Sequence, residues 1–194
     1  TGANRYIIAA LHWDANTSAP SITWNSVALS EIQTNNDGGE ESDERALVAP
    51  ASGNLTLAAS WTGASNVVLG AAEFSGVDQT TPRVVADDLI TTGTSTTPSI
   101  TITSAVGDAT LAFVTVASVP VTISADNQTR VYLVNLANLD AGMTYALGGS
   151  SNTHSWTLSD SKPWHCFGIH IKAAAVGAGG VVTPRSLGLL GVGA

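Results

Sequence analysis

Between Arg5 and Lys172 the chain is a succession of short runs of β-branched and aliphatic residues, each cut by Gly, Pro, Asn or Asp. No stretch repeats its apolar residues at helical spacing. A chain punctuated this often cannot form long amphipathic helices and reads as an all-β sandwich or barrel. In "SITIT" Ile100 and Ile102 face one way and Ser99, Thr101 and Thr103 the other; in "NLTLAASW" Leu55 and Leu57 oppose Thr56. A period of two with one apolar face is that of a half-buried antiparallel strand. "NVVLGAAEF" and "ATLAFVTVA" are apolar throughout, as central strands are. The pattern predicts strands near 5–13, 21–24, 27–34, 45–48, 54–61, 66–75, 84–91, 99–103, 110–117, 121–124, 129–136, 143–147, 154–158 and 164–172. "VGD" at 106–108 reads as a tight turn. "NNDGGEESDE", residues 35–44, is the one charge-dense segment and reads as an exposed loop.

Composition narrows the function classes. The 194 residues carry 11% charged and 44% hydrophobic side chains, with a formal net charge of −8. The 7 basic residues are scattered singly, which argues against nucleic acid and anionic membranes as partners. The single cysteine, Cys166, excludes an intrachain disulfide. No apolar stretch has the roughly 20 residues of a membrane-spanning helix.

Candidate chemistry is sparse. His165 and His170 sit five apart in one strand and point to opposite faces, and Cys166 and His170 share a face. Two ligands without a third do not make a metal site, and none is expected. Asp37, Glu40, Glu41, Asp43 and Glu44 do not follow the spacing of an EF-hand calcium loop and read as a solvated acidic loop. Asp87 and Asp88 read likewise. No nucleophile elbow is present, no carboxylate pair stands out, and the chain reads as non-enzymatic with no cofactor. The tryptophans, Trp13, Trp24, Trp61, Trp156 and Trp164, lie in or beside predicted strands and are expected in the core. An exposed pair on one sheet face would instead favour sugar stacking. Asn16, Asn54 and Asn127 each begin an Asn-X-Ser/Thr sequon and are the candidate glycosylation sites.

After Lys172 the composition changes. Residues 1–172 read as the β-sandwich domain, 173–180 ("AAAVGAGG") as a Gly/Ala linker, and 181–194 as an apolar tail without charge after Arg185. Leu187 and Leu189 share one face of an ideal strand, Leu190 and Val192 the other. Each would contribute roughly 1.5–3 kcal/mol if fully enclosed. The tail folds back onto its own sheet, is donated to a neighbour, or is disordered or continued by an unseen extension.

The ordered segments "NRYIIAALHW", "SITWNSVALSEI", "SGVDQTTP" and "HSWTLSDSKPWHCFGIHIKAA" resemble a β-sandwich module of uncharacterised bacterial, phage and environmental surface proteins. That module carries an "NRxLxVxVxW" opening, a "VTYNGVALT" hairpin, a "GVDQTTP" turn and a "WTLS…W" close. The likeness spans about Asn4 to Ala173, and "SGVDQTTP" is its most specific piece. It implies a jelly-roll-like or immunoglobulin-like two-sheet sandwich with a structural or binding role, extracellular or on a cell or virion surface. Such modules place another strand before the "NR" segment, so a chain starting at Thr1 is expected to have an open edge near Asn4–Trp13, at Tyr6, Ile7 and Ile8. The expectation is a homopolymeric filament subunit whose tail (Leu187, Leu189, Leu190, Val192) fills that edge in the next copy. The alternatives are a glycan-binding module of an adhesin or phage tail, and a capsid decoration protein.

Overall fold

The computed structural model describes residues 3–14, 20–35, 41–63, 66–117, 121–175 and 181–193, with the backbone alone for 117, 125 and 186–193. In chain order the strands are β1 (Tyr6–Trp13), β2 (Ser21–Trp24), β3 (Val27–Ala28), β4 (Ser30–Asn35), β5 (Glu41–Val48), β6 (Leu57–Ser60), β7 (Val67–Ser75), β8 (Leu89–Ser95), β9 (Ser99–Thr103), β10 (Ala109–Ala117), β11 (Ile123–Asp126), β12 (Thr129–Asn135), β13 (Leu139–Leu147), β14 (Ser151–Leu158), β15 (Lys162–Ile171) and β16 (Thr183–Gly193). Among the described residues the only helical element is a 3-10 turn at Val85–Asp87. Two five-stranded sheets, β16-β7-β1-β5-β4 and β12-β13-β10-β15-β8, are joined by two three-stranded sheets, β11-β14-β9 and β3-β2-β6. The fold is an all-β antiparallel sandwich.

Three apolar clusters show how the sheets stack. Tyr6, Ile8 and Ala10 of β1 meet Leu111 and Phe113 of β10 and Phe167 and Ile169 of β15 between the two large sheets. The alternate residues of β1, Ile7, Ala9, Leu11 and Trp13, meet Ile22 and Trp24 of β2 on the other side. The alternate residues of β10, Ala112, Val114 and Val116, meet Ile100, Ile102 and Trp156 of the β11-β14-β9 sheet. Each large sheet is thus covered on its outer face by a small one. β1 and β10 are buried on both faces, which is why their sequences do not alternate. Four tryptophans belong to these cores; Trp61, 36% exposed, does not.

Two expectations are corrected. The acidic segment is not an exposed loop from end to end: Glu41, Ser42, Asp43 and Glu44 open β5 and are fully buried. β5 lies between β1 and β4, so both of its edges are paired. Asp43 accepts a 2.6 Å hydrogen bond from Arg45 Nε and one from Thr34. Asp37 and Glu40 lie outside the described residues. Likewise β1 is not an open edge. Tyr6, Ile7 and Ile8 pair with Val48, Leu47 and Ala46 on one side and with Phe74, Glu73 and Ala72 on the other. The apolar run "YIIAALHW" suits the middle of a sheet, where no backbone group is left for an incoming strand.

Candidate functional site

The open flank predicted for β1 belongs instead to its neighbour. β7 pairs with β1 along one side and with β16 along the other, from Thr183 opposite Ser75 to Gly193 opposite Val67. β16 is the edge of that sheet. The C-terminal strand, which includes Leu187, Leu189, Leu190 and Val192, therefore lies on its own domain; the side chains of those four residues lie outside the described residues. β7 is buried over Val67–Phe74. Without β16, its outward N–H and C=O groups would have no ladder partner.

The root of the strand is pinned at both ends of the connector. Ala173 N–H donates to Asp108 Oδ1 at 2.7 Å, and Ala174 N–H to the Gly76 carbonyl at 2.8 Å. On the far side, Val182 N–H donates to the Gly107 carbonyl at 2.9 Å, and the Val182 side chain enters the central core. The tight turn read from "VGD" is thus the post to which both ends of the connector are tied. Asp108 is itself held: His170 Nε2 lies 2.7 Å from its Oδ2, while His170 Nδ1 lies 2.8 Å from Asp87 Oδ2.

The register of the strand has an electrostatic marker. Arg185 stands opposite Glu73 in the ladder, with Nη1 3.8 Å from Oε1. Glu73 is buried and takes a two-pronged hydrogen bond from Arg5, Nε to Oε1 at 2.6 Å and Nη2 to Oε2 at 2.7 Å. That bond holds the Glu73 carboxyl below its ordinary range. The last cation of the chain therefore meets the only acidic residue of β7. Sequence reasoning missed Glu73 and Arg5, because nothing in either local pattern announces a partner so distant in the chain.

The "SGVDQTTP" motif forms the turn after β7. Asp78 Oδ1 accepts from Thr80 N–H at 2.9 Å and Thr81 N–H at 3.0 Å, and Lys172 Nζ lies 3.0 Å from its Oδ2. The Thr81 and Thr80 amides hold this carboxyl well below the usual range. Gln79 Nε2 donates to the carbonyls of Arg5 and Val77. The motif's polar residues thus tie the end of β7 to the start of β1 and the end of β15, a structural role.

The histidines are packed, each in a different place. His12 bridges Tyr132 Oη at 2.9 Å and Thr115 Oγ1 at 2.6 Å, and burial lowers its pKa to about 3. His154 lies between the hydroxyls of Thr110 and Thr144, with its pKa lowered by burial to about 4. Among the described residues no three His, Cys, Asp or Glu side chains converge on a possible metal position. Of the sequons, Asn16 lies outside the described residues and Asn54 is exposed at a bend. Asn127 is exposed, but its Nδ2 donates to the Thr153 carbonyl and its Oδ1 accepts from Ser155 N–H. That side chain braces β14, and its amide nitrogen is already engaged. Among the described residues no helix is long and apolar enough to cross a membrane.

Comparison of the chain with protein-family models, with curated proteins and with solved structures found no match.

Proposed function

We propose that the chain is a non-enzymatic structural subunit that polymerises by exchanging its C-terminal strand. In this reading the Thr183–Gly193 segment of one copy occupies the slot along β7 of the next, building a filament outside the cell or on a virion. The observation behind it is that the outer edge of a buried strand, β7, is closed by a segment reached through a Gly/Ala-rich connector. A strand joined in that way fits its slot equally well when supplied by a neighbour, with the same ladder and the same Arg185–Glu73 marker. The acceptor is β7, in place of the β1 edge expected from sequence.

Negative-stain electron microscopy of the full chain beside a chain ending at Ala173 tests this. Filaments from the first and none from the second are expected. Adding a synthetic 181–194 peptide to the shortened chain should restore its thermal stability by filling the slot. Monodisperse particles from both chains would sink strand exchange. A second reading, a glycan-binding module, would rest on Trp61 alone, the one tryptophan outside the cores, without the exposed pair that sugar stacking favours. It requires Trp61→Ala to abolish retention on a glycan array while tail deletion leaves it intact. A capsid decoration role differs from the first reading only in the surface that receives the subunit.

A further inference from the structure

The two large sheets have four edges: β16, β4, β12 and β8. Exposed edges invite pairing with other chains, and proteins blunt them with bulges, charges or proline. Three of these four are blunted. β16 contains Pro184 and Arg185 and shifts register twice against β7. β4 carries Glu31 and shifts register between Glu31 and Gln33. β12 carries Arg130 and shifts between Arg130 and Tyr132. β8 has none of these devices. Its sequence, "LITTGTS", holds no charge and no proline, and it runs against β15 from Leu89 to Ser95 without a shift. Leu89 is 39% exposed, Ile90 is 49% exposed, and Val85 just before them is 64% exposed. No described strand pairs with its other side.

We propose that the free edge of β8 is an interaction surface, and that its partner is β8 of a second copy, paired antiparallel across a two-fold axis. The strand is complementary to itself. With Thr92 opposite Thr92 of the other copy, Ile90 falls opposite Thr94, Leu89 opposite Ser95, and Thr91 opposite Gly93. Cross-strand Thr–Thr and β-branched pairs of this kind are the favourable ones in antiparallel ladders. Gly93 is held free of a side chain because Trp164 lies against it: a Cβ there would sit 2.6 Å from Trp164 Cζ2. The opposing Thr91 then sits where the strand is narrowest. Two copies of a chain with net charge −8 repel over most orientations. At this edge the strand itself brings no like charge into register. Two-fold pairing also consumes both free edges at once and leaves none to propagate, a closed contact unlike the open one of strand exchange.

Cysteine cross-linking on the full-length chain tests this, because the native Cys166 is buried. Thr92→Cys, Ile90→Cys and Thr94→Cys are oxidised mildly and run on non-reducing gels beside Thr129→Cys on the bulged β12 edge. Directly opposed residues in an antiparallel pair are close enough for a disulfide. The expected result is a covalent dimer from Thr92→Cys at least tenfold above Thr129→Cys, with Ile90→Cys and Thr94→Cys lower. Adding Ile90→Lys to Thr92→Cys should remove the excess. Tail exchange brings β16 onto β7 and leaves two β8 strands apart, so it does not produce this dimer. Equal yields from Thr92→Cys and Thr129→Cys, or a yield indifferent to Ile90→Lys, would overturn the proposal.

Discussion

Single residues show where this fold departs from local preference. Asn25 and Ser26 both have positive φ, 49° and 65°, in the two-residue turn between β2 and β3. That is the geometry of a type I′ turn, which favours Asn-Gly. Gly is the favoured residue at the second position of such a turn, whereas this chain has Ser. Ser26→Gly is expected to raise stability by about 0.5 kcal/mol, read from urea unfolding. Glu44 is a second case. Its burial between the large sheets pushes its pKa up to about 8, from an ordinary 4.5. The folded chain therefore holds a proton that the unfolded chain releases, so this contribution to stability is complete at low pH and is lost as pH rises towards 8. Asp140, raised by burial to about 6, acts with the same sign but lower in the range. His12 and His154, lowered to about 3 and 4, act with the opposite sign and only as pH falls below the ordinary histidine value of 6.5. Glu44 acts across the interval from pH 6.5 to 8. Wild-type stability should fall there by about 1–2 kcal/mol, and Glu44→Gln should flatten that slope in chemical denaturation at each pH.

Individual strands separate what sequence pattern can reveal from what it cannot. Alternation in "SITIT" matches β9, where Ile100 and Ile102 are buried and their neighbours exposed. The uniformly apolar runs marked β7 and β10 as central. The acidic run 41–44 was illegible for a physical reason. Four consecutive polar residues normally stay in water, and only the sheets on either side of β5 and partners such as Arg45 and Thr34 make their burial tolerable. The edge was misplaced because order along the chain does not give order across a sheet. β1 acquires its second neighbour from β5 and β7, far along the sequence. Gly70 illustrates how a strand can be shaped by the sheet opposite. A Cβ at Gly70 would lie 2.0 Å from Tyr132 Cε1, so the absent side chain makes room for the ring that bonds His12. Gly70→Ala must push that ring aside and is expected to cost about 1–3 kcal/mol in urea unfolding.

The arrangement of the whole molecule follows from two strands enclosed on both faces. Since β1 and β10 lie inside three stacked apolar layers, their amides should open only with global unfolding. Native-state hydrogen exchange should show 6–13 and 109–116 as the slowest segments, with β3 among the fastest. Early exchange in β1 would contradict this layering. The candidate site was only half legible from sequence: the apolar tail was visible, but its seat on β7, the Arg185–Glu73 marker and the Asp108 post all depend on contacts across long stretches of chain.

The direction of β16 has a geometric consequence. Ala3, whose carbonyl accepts from Gly76 N–H, sits at the same end of β7 as the root of the C-terminal strand. Gly193 is aligned with Val67, at the other end. The first and last described residues are therefore separated by the length of β7, roughly 3.3 Å for each of its residues. Polypeptide fused before residue 3 and polypeptide fused after residue 193 would emerge at opposite poles. Copies joined in tandem would then run in line, like carriages coupled nose to tail, and each sandwich would transmit a pull along its strands instead of hanging beside the line of force.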